Sequence, residues 1–250
     1  MLKKLFSVCE FSETHNLICF LGIKLRLPKP EYEKLKKQNP FYLYKKNNAP
    51  ITQIPAATGQ IRDIQMANFT LLKQLHKFCQ ENNLGYWLDY GTLLGAVRHK
   101  GYIPWDDDID VGMMMSDYVK VEELFNSAAE NSDFYIEKFT SKKGRKFLKL
   151  KHRKCDLLFV DIFPYEDCGE KIHSICYPNE YHAKTVIFPL GITEFEKKEF
   201  TVPANTDRYL KDLFNDYMKY PDKITMGHSM FIKLNDNQKS AIEDIKCLKI

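Results

Sequence analysis

The sequence predicts an α/β chain, a mixed α+β sheet with helices packed on it, and three observations carry that expectation. A helical apolar period runs through residues 61–82, strand-like apolar stretches recur at 86–90, 133–139, 146–152 and 156–164, and the two kinds of segment are interleaved along the chain. At 250 residues and 44% hydrophobic content there is enough apolar surface for a sizeable core, in one large domain or one domain with an appendage.

Residues 1–50 differ from the rest. "NLICFLGIKLRLPKPEYEKLKK" starts apolar, alternates Ile23, Leu25 and Leu27 with Lys24 and Arg26, and ends lysine-rich and proline-punctuated. It reads either as an edge strand with a linker or as a peripheral contact with an anionic membrane, where lysines face lipid. "NNAPITQIPAATGQ" is a loop. From residue 60 to 82, Ile61, Ile64, Asn68, Leu71, Leu72, Leu75, Phe78 and Cys79 recur at three- and four-residue spacing, and "NNLG" supplies a helix stop. "YWLDY" is a short strand leading into a helix opened by Gly91 and Thr92. The acidic run "IPWDDDIDVGM" follows as a strand, then a helix at 116–129 with Ser116 as cap and Val119, Val121, Leu124 and Phe125 as apolar members. "DFYIEKF", "KFLKLKH" and "DLLFVDIFP" are strands, "EFEKKEFTVP" is a hairpin, and a helix at 206–218 carries Leu210, Leu213, Phe214 and Tyr217. This organisation gives an N-terminal segment (1–50), a catalytic domain (51–222) and a C-terminal tail packing on the core (223–250).

Charge excludes a dedicated nucleic-acid binder: 37 basic and 33 acidic residues leave a net +4, too balanced for one. Seven scattered cysteines form no C-x-x-C pair, which suits reduced thiols in a cytoplasmic protein. Glu10, Glu13 and His15 interrupt any signal-peptide-like apolar run, and no stretch of about 18 apolar residues occurs. The expected location is cytoplasmic, with the membrane reading of residues 1–50 placing it at the inner face of the cytoplasmic membrane.

Asp106, Asp107, Asp108 and Asp110 crowd into five positions beside Trp105 and Val111. A solvated acidic loop is the plain alternative, but the apolar flanks argue against it. On a strand, Asp106, Asp108 and Asp110 share one face while Asp107 takes the other, and convergent carboxylates call for a hard divalent cation. A calcium loop fails, because Val111 stands where the sharp turn needs glycine. Asp161, inside the apolar "LLFVDIFP", is a third carboxylate too costly to bury unless paired or on a metal. Upstream, Gly91 and Thr92 at a strand-to-helix turn can hold a phosphate, and Arg98, His99 and Lys100 add cations.

This order of elements resembles the nucleotidyltransferase fold of the DNA polymerase beta type. At finer grain, "YGTLLGAVRHKGYIPWDDDIDVGM", with "VDIFP" and the stretch through "DLFNDYMKYP", resembles the LicD family of phosphocholine transferases, similar to the fukutin-related proteins, over residues 60–222. The resemblance implies a CDP-linked donor, such as CDP-choline or a related CDP-alcohol, whose diphosphate lies on Gly91 and Thr92. Asp108, Asp110 and Asp161 would then hold Mg²⁺ or Mn²⁺, and a cell-surface glycan hydroxyl would displace CMP. Asp161 is also the candidate for accepting the hydroxyl proton, Asp107 is structural, and Arg98, Lys149 and Lys151 are candidates for the donor phosphates. A choline headgroup needs an aromatic cage, for which Trp87, Tyr90, Tyr102 and Trp105 are nearest in sequence. Two rivals remain: an Asp-x-Asp glycosyltransferase, disfavoured by the short stretch before the motif, and a catalytically idle binding module, disfavoured by the presence of all three carboxylates.

Overall fold

The computed structural model describes residues 6–10, 15–20, 23–28, 39–128, 132–222 and 232–250. Strands β1 (Phe6–Glu10), β2 (His15–Phe20) and β3 (Ile23–Pro28) form an antiparallel sheet in that order, with β3 at one edge. The linker expected beyond it, at 29–38, lies outside the described residues.

From residue 39 on, the described chain is built on one seven-stranded mixed sheet with helices on it and a separate two-stranded hairpin. Helix α1 (Pro40–Lys46) starts as its sequence dictates: Asn39 caps the Phe41 N–H, proline occupies the first helical position, and Lys45 and Lys46 close the last turn. Helix α2 (Gln60–Glu81) buries Ile64, Asn68, Leu71, Leu72, Leu75 and Cys79 of its expected stripe, with Ile61 and Phe78 partly buried, adds Ala67, and ends at Asn82. Two polar side chains, Gln65 and Asn68, are as buried as the leucines beside them. Their partners lie in the acidic run.

The sheet is organised around β8 (Cys155–Asp167), whose neighbours include β5 (Asp110–Met114) in parallel and β7 (Lys146–His152) antiparallel. The short β4 (Trp87–Leu88) pairs with β5, and β6 (Phe134–Thr140) with β7. At its far end β8 pairs with β9 (Lys171–Ser174), which pairs with β10 (Tyr181–Ala183). Asp161 therefore sits opposite Asp110 on one side and Lys149 on the other. Paired residues share a face of the sheet, so topology alone brings these three side chains together.

Helix α3 (Tyr90–His99) follows β4, and helix α4 (Met115–Ala128) follows β5 directly, placing Ser116 in the first turn instead of at the cap. After β10 come the short helix α5 (Lys184–Ile187) and the hairpin of β11 (Gly191–Phe195) and β12 (Lys198–Val202). Both turn residues of that hairpin, Glu196 and Lys197, have positive φ, which matches the right-handed twist of the strands it joins. Helix α6 (Thr206–Phe214) stops short of the expected 218 because Asn215 turns to φ 56°. Helix α7 (Asp236–Lys246) packs against α2 and joins it through Lys246 and Asp63 at 2.9 Å. No helix among the described residues is long and apolar enough to cross a membrane.

The acidic run is not a strand before Asp110. Residues 102–109 form a loop, in which side chains of α2 hold backbone carbonyls of Ile103, Asp106 and Asp107. Gln65 donates to the Asp106 carbonyl at 2.7 Å, and Asn68 donates to the Asp107 carbonyl at 2.7 Å while accepting from the Phe159 N–H at 2.9 Å. Asn68 thus staples the loop to β8.

Candidate active site

The start of α3 is set by Asp89, which sequence reading passed over. Its carboxylate accepts from the Tyr90 N–H at 2.8 Å and from the buried Tyr165 and Tyr209 hydroxyls, each at 2.7 Å. Burial pushes its pKa up to about 6, with the charge of Glu180 adding to the effect. An aspartate directly before Tyr-Gly-Thr was the available signal, since that is where a helix cap belongs.

Gly91, one residue into α3, faces the acidic loop. A Cβ there would lie 2.8 Å from a carboxylate oxygen of Asp106, so only glycine admits the carboxylate this close. Thr92 holds the other end of the loop, its hydroxyl accepting the Asp110 N–H at 2.8 Å where β5 begins. From the opposite side, Arg62 on α2 clamps Glu196 through two bonds of 2.8 and 2.6 Å, and Glu196 also accepts the Tyr102 N–H at 3.2 Å. Helix, hairpin and sheet together fix one loop.

Asp106, Asp108, Asp110 and Asp161 all line one cavity of about 720 Å³. The expected alternation holds without the strand: Asp107 is buried outside the lining, although its ligand oxygens lie within 4.8 Å of those of Asp106 and Asp108. The Asp106 and Asp110 carboxyls are held well above the usual range, first by burial and then by Asp108, with Asp161 also acting on Asp110. Asp161 is paired with Lys149 at 2.5 Å, and the Lys149 ammonium is enclosed by Phe159, Phe139 and Phe147 at 3.5, 4.7 and 5.3 Å.

The remaining expected site residues divide. Gly91, Arg98, Tyr90 and Trp105 line the cavity. Arg98 donates to the Tyr217 carbonyl at 3.0 Å, its Nε is buried without a hydrogen-bond partner among the described residues, and burial lowers its pKa to about 10. Thr92, His99, Lys100, Lys149, Lys151, Trp87 and Tyr102 are outside the lining. Lys100 is an exposed left-handed cap at the end of α3, and Lys151 is paired with Glu137 at 3.1 Å. Burial and Arg98 bring the His99 imidazole down to about 4, and the buried Tyr102 ring packs on Phe195 at 5.0 Å. Trp87 is a core residue between Tyr165 and Phe188.

Sequence reading missed much of the wall. Arg145 in the β6–β7 turn, Phe147, Phe163 and Tyr177 form one side, and Phe214, Asp216, Tyr217, Lys219 and Tyr220 belong to another. Phe41 of α1 supports the second set, packing on Trp105 at 4.9 Å and Tyr220 at 5.4 Å. The arrangement offers hard oxygen ligands, desolvated arginine and aromatic surface in one cavity, which suits a phosphorylated, ring-bearing ligand.

A family model described as LicD/FKTN/FKRP, nucleotidyltransferase domain, matches residues 83–205, and the chain is 31% identical over 189 residues to the lipopolysaccharide cholinephosphotransferase LicD of Haemophilus influenzae. The chain belongs to the LicD family. The Haemophilus match covers 71% of this chain and 66% of that protein. An uncharacterized protein of Rickettsia typhi is 29% identical over 159 residues, 61% of this chain and 47% of its own length. The human ribitol 5-phosphate transferase FKRP is 34% identical over 84 residues, 32% of this chain and 16% of the relative. The chain thus spans only part of the curated proteins it matches, about half of the Rickettsia one. Within the LicD-matched stretch lie all four cavity carboxylates, Gly91 and Arg145; the wall from Phe214 to Pro221 lies beyond it.

Proposed function

We propose that this chain is a phosphotransferase that moves a phosphoalcohol from a CDP-linked donor to a hydroxyl of a cell-surface glycan of lipopolysaccharide, capsule or teichoic acid type, releasing CMP. The observation that carries this reading is the convergence of Asp106, Asp108, Asp110 and Asp161 on one cavity that also presents arginine, in a chain whose relatives are named as cholinephosphate and ribitol 5-phosphate transferases. Phosphocholine is the first candidate for the transferred group, with ethanolamine and ribitol phosphates beside it. The mixed sheet carrying Asp110 and Asp161 on adjacent strands supports a nucleotidyltransferase-like core.

The donor set fits a hard divalent cation: all ligand atoms are carboxylate oxygens, and Asp106 and Asp110 hold their protons more tightly than ordinary carboxyls because they are buried beside like charges. Asp108, Asp110 and Asp161, with Asp106 added from the structure, would hold Mg²⁺ or Mn²⁺, which supplies charge neutralisation of the donor phosphates. The protein's own residues do the rest. Gly91 keeps the α3 backbone close to the carboxylates, Arg98 offers its unpartnered Nε, and Asp161 takes the proton of the attacking hydroxyl as the new oxygen–phosphorus bond forms and the bond to CMP breaks.

Mass-spectrometric assay of CDP-choline, CDP-ethanolamine, CDP-ribitol and UDP-sugars, with surface glycan as acceptor, tests the proposal. CMP release from one CDP-alcohol with a matching mass gain on the glycan supports it; UDP release would move the protein to the glycosyltransferases, and silence would favour an idle binding module. Peripheral contact with an anionic membrane through Lys24 and Arg26, at the cytoplasmic face, belongs to the same proposal. Unchanged vesicle binding after Lys24→Glu and Arg26→Glu would remove that part.

A further inference from the structure

We infer that Arg145 is the residue that grips the diphosphate of the donor, an assignment that rests on the phosphoalcohol-transfer reading and names a phosphate ligand the sequence had assigned to Lys149 and Lys151. Those two lysines are engaged elsewhere, with Asp161 at 2.5 Å and Glu137 at 3.1 Å. Arg145 lines the cavity that holds the four carboxylates, and its guanidinium has no carboxylate or carbonyl partner among the described residues. It rests on a ring: the guanidinium carbon lies 4.1 Å from the centroid of Tyr177. A cation–π contact of this kind uses the charge and the π surface of the group and consumes none of its N–H donors, the donors with which arginine binds phosphate.

The platform is itself well placed. The Tyr177 ring contacts Tyr90 at 5.3 Å, Tyr90 is the residue before Gly91, and the Tyr177 hydroxyl senses the charges of both Arg145 and Asp110. Arg145 therefore belongs to the wall beside the carboxylates, while Arg98 reaches the cavity from α3. A diphosphate diester carries two negative charges, and any divalent cation held by the four carboxylates would have much of its charge balanced by them, leaving little positive surplus for the donor. Two arginines without carboxylate hydrogen bonds supply what is missing. The same stacking occupies one face of Tyr177 with a cation, which closes that face to a quaternary ammonium headgroup.

The turn carrying Arg145 does not depend on its side chain. The Arg145 N–H donates to the Ser141 hydroxyl at 3.1 Å, the Ser141 N–H to the Arg145 carbonyl at 2.9 Å, and the Gly144 N–H to the Ser141 carbonyl at 2.8 Å. Arg145→Ala is accordingly expected to fold, which circular dichroism checks. Calorimetric titration with CDP and with cytidine, in the presence of Mg²⁺, then tests the assignment. Arg145→Ala should weaken CDP by roughly ten- to hundredfold and cytidine by less than about twofold, the size expected for losing charge-assisted bonds to phosphate. Arg145→Lys should recover only part of the loss, because a lysine keeps the charge but lacks the fork. Wild-type CDP affinity in Arg145→Ala, or an equal loss for cytidine, would overturn the assignment while leaving the phosphoalcohol reading in place. A wild-type chain that binds neither CDP nor cytidine would overturn the reading itself, and the role of Arg145 with it.

Discussion

Replacing Asp108 by asparagine should stabilise the metal-free protein and destabilise it relative to wild type once a divalent cation is added. Ligand oxygens of Asp106, Asp107 and Asp108 lie within 4.8 Å of one another. Two unit charges at that spacing repel by about 3.5 kcal/mol at an effective dielectric constant of about 20. Part of this is already relieved in the wild type, because the Asp106 carboxyl is pushed well above its usual range by burial and by Asp108 and so keeps its proton more readily. The neutral amide should therefore recover roughly 1–2 kcal/mol, or a rise in Tm of about 2–8 °C for a chain of this size. Mg²⁺ at a hundred times its Kd stabilises the wild type by about 2.7 kcal/mol, and the variant loses most of that. Thermal melts followed by circular dichroism, in EDTA and in excess Mg²⁺, should thus show the order of the two proteins reverse. A wild-type melt indifferent to Mg²⁺ and Mn²⁺, together with a variant less stable than wild type in EDTA, would refute the reasoning.

Asn68→Leu strands the Asp107 carbonyl and the Phe159 N–H, both now satisfied by one amide. Urea denaturation should show a loss of about 2–5 kcal/mol, with activity falling because the acidic loop is no longer tied to β8. Arg62→Met breaks the bidentate contact to Glu196, which also receives the Tyr102 N–H. Arg62 is partly exposed, so the loss should be about 1 kcal/mol and should shrink at high salt. Acid should protect the metal-free protein: Asp89, pushed up to about 6, and Asp106 and Asp110, held well above the usual carboxyl range by burial and like charges, bind more protons folded than unfolded. Below about pH 6.5 His99, held down at about 4, works in the opposite sense, so stability in EDTA should fall as pH rises from about 6.5 to about 8, and a Tm that rises over that window would contradict the sign. Metal affinity should run the other way, weakening as pH falls and protons compete for the same oxygens.

The parts of the fold legible in the sequence are those with local causes. Helix α2 announces itself through its apolar period and its asparagine stop, and the β11–β12 hairpin through alternation around a charged turn. The meeting of Asp110 with Asp161 was expected from chemistry, and parallel pairing supplies the geometry. What stayed hidden depends on partners distant in sequence. Residues 103–110 read as a strand from the alternation of the aspartates, but Gln65 and Asn68, some forty positions earlier, hold the Asp106 and Asp107 carbonyls. Asn68 falls within the apolar period of α2, and a buried asparagine at such a position is the trace such a staple leaves. Thr92 was expected to face phosphate, yet its hydroxyl accepts from the start of β5. Arg145 sits in an unremarkable "KKGRK" turn, and only the fold shows that Tyr177 lies beneath it.

The most direct test of the central claim is CMP release from the CDP-alcohol that the donor panel selects, measured for wild type, Asp108→Asn and Asp161→Asn with Mg²⁺ and again after chelation. If the carboxylate cluster holds the cation that serves phosphoalcohol transfer, chelation should abolish release by the wild type and readdition of Mg²⁺ or Mn²⁺ should restore it. Each folded variant should fall by about two or more orders of magnitude. Release that survives chelation, or a folded Asp161→Asn protein with near-normal turnover, would contradict the account.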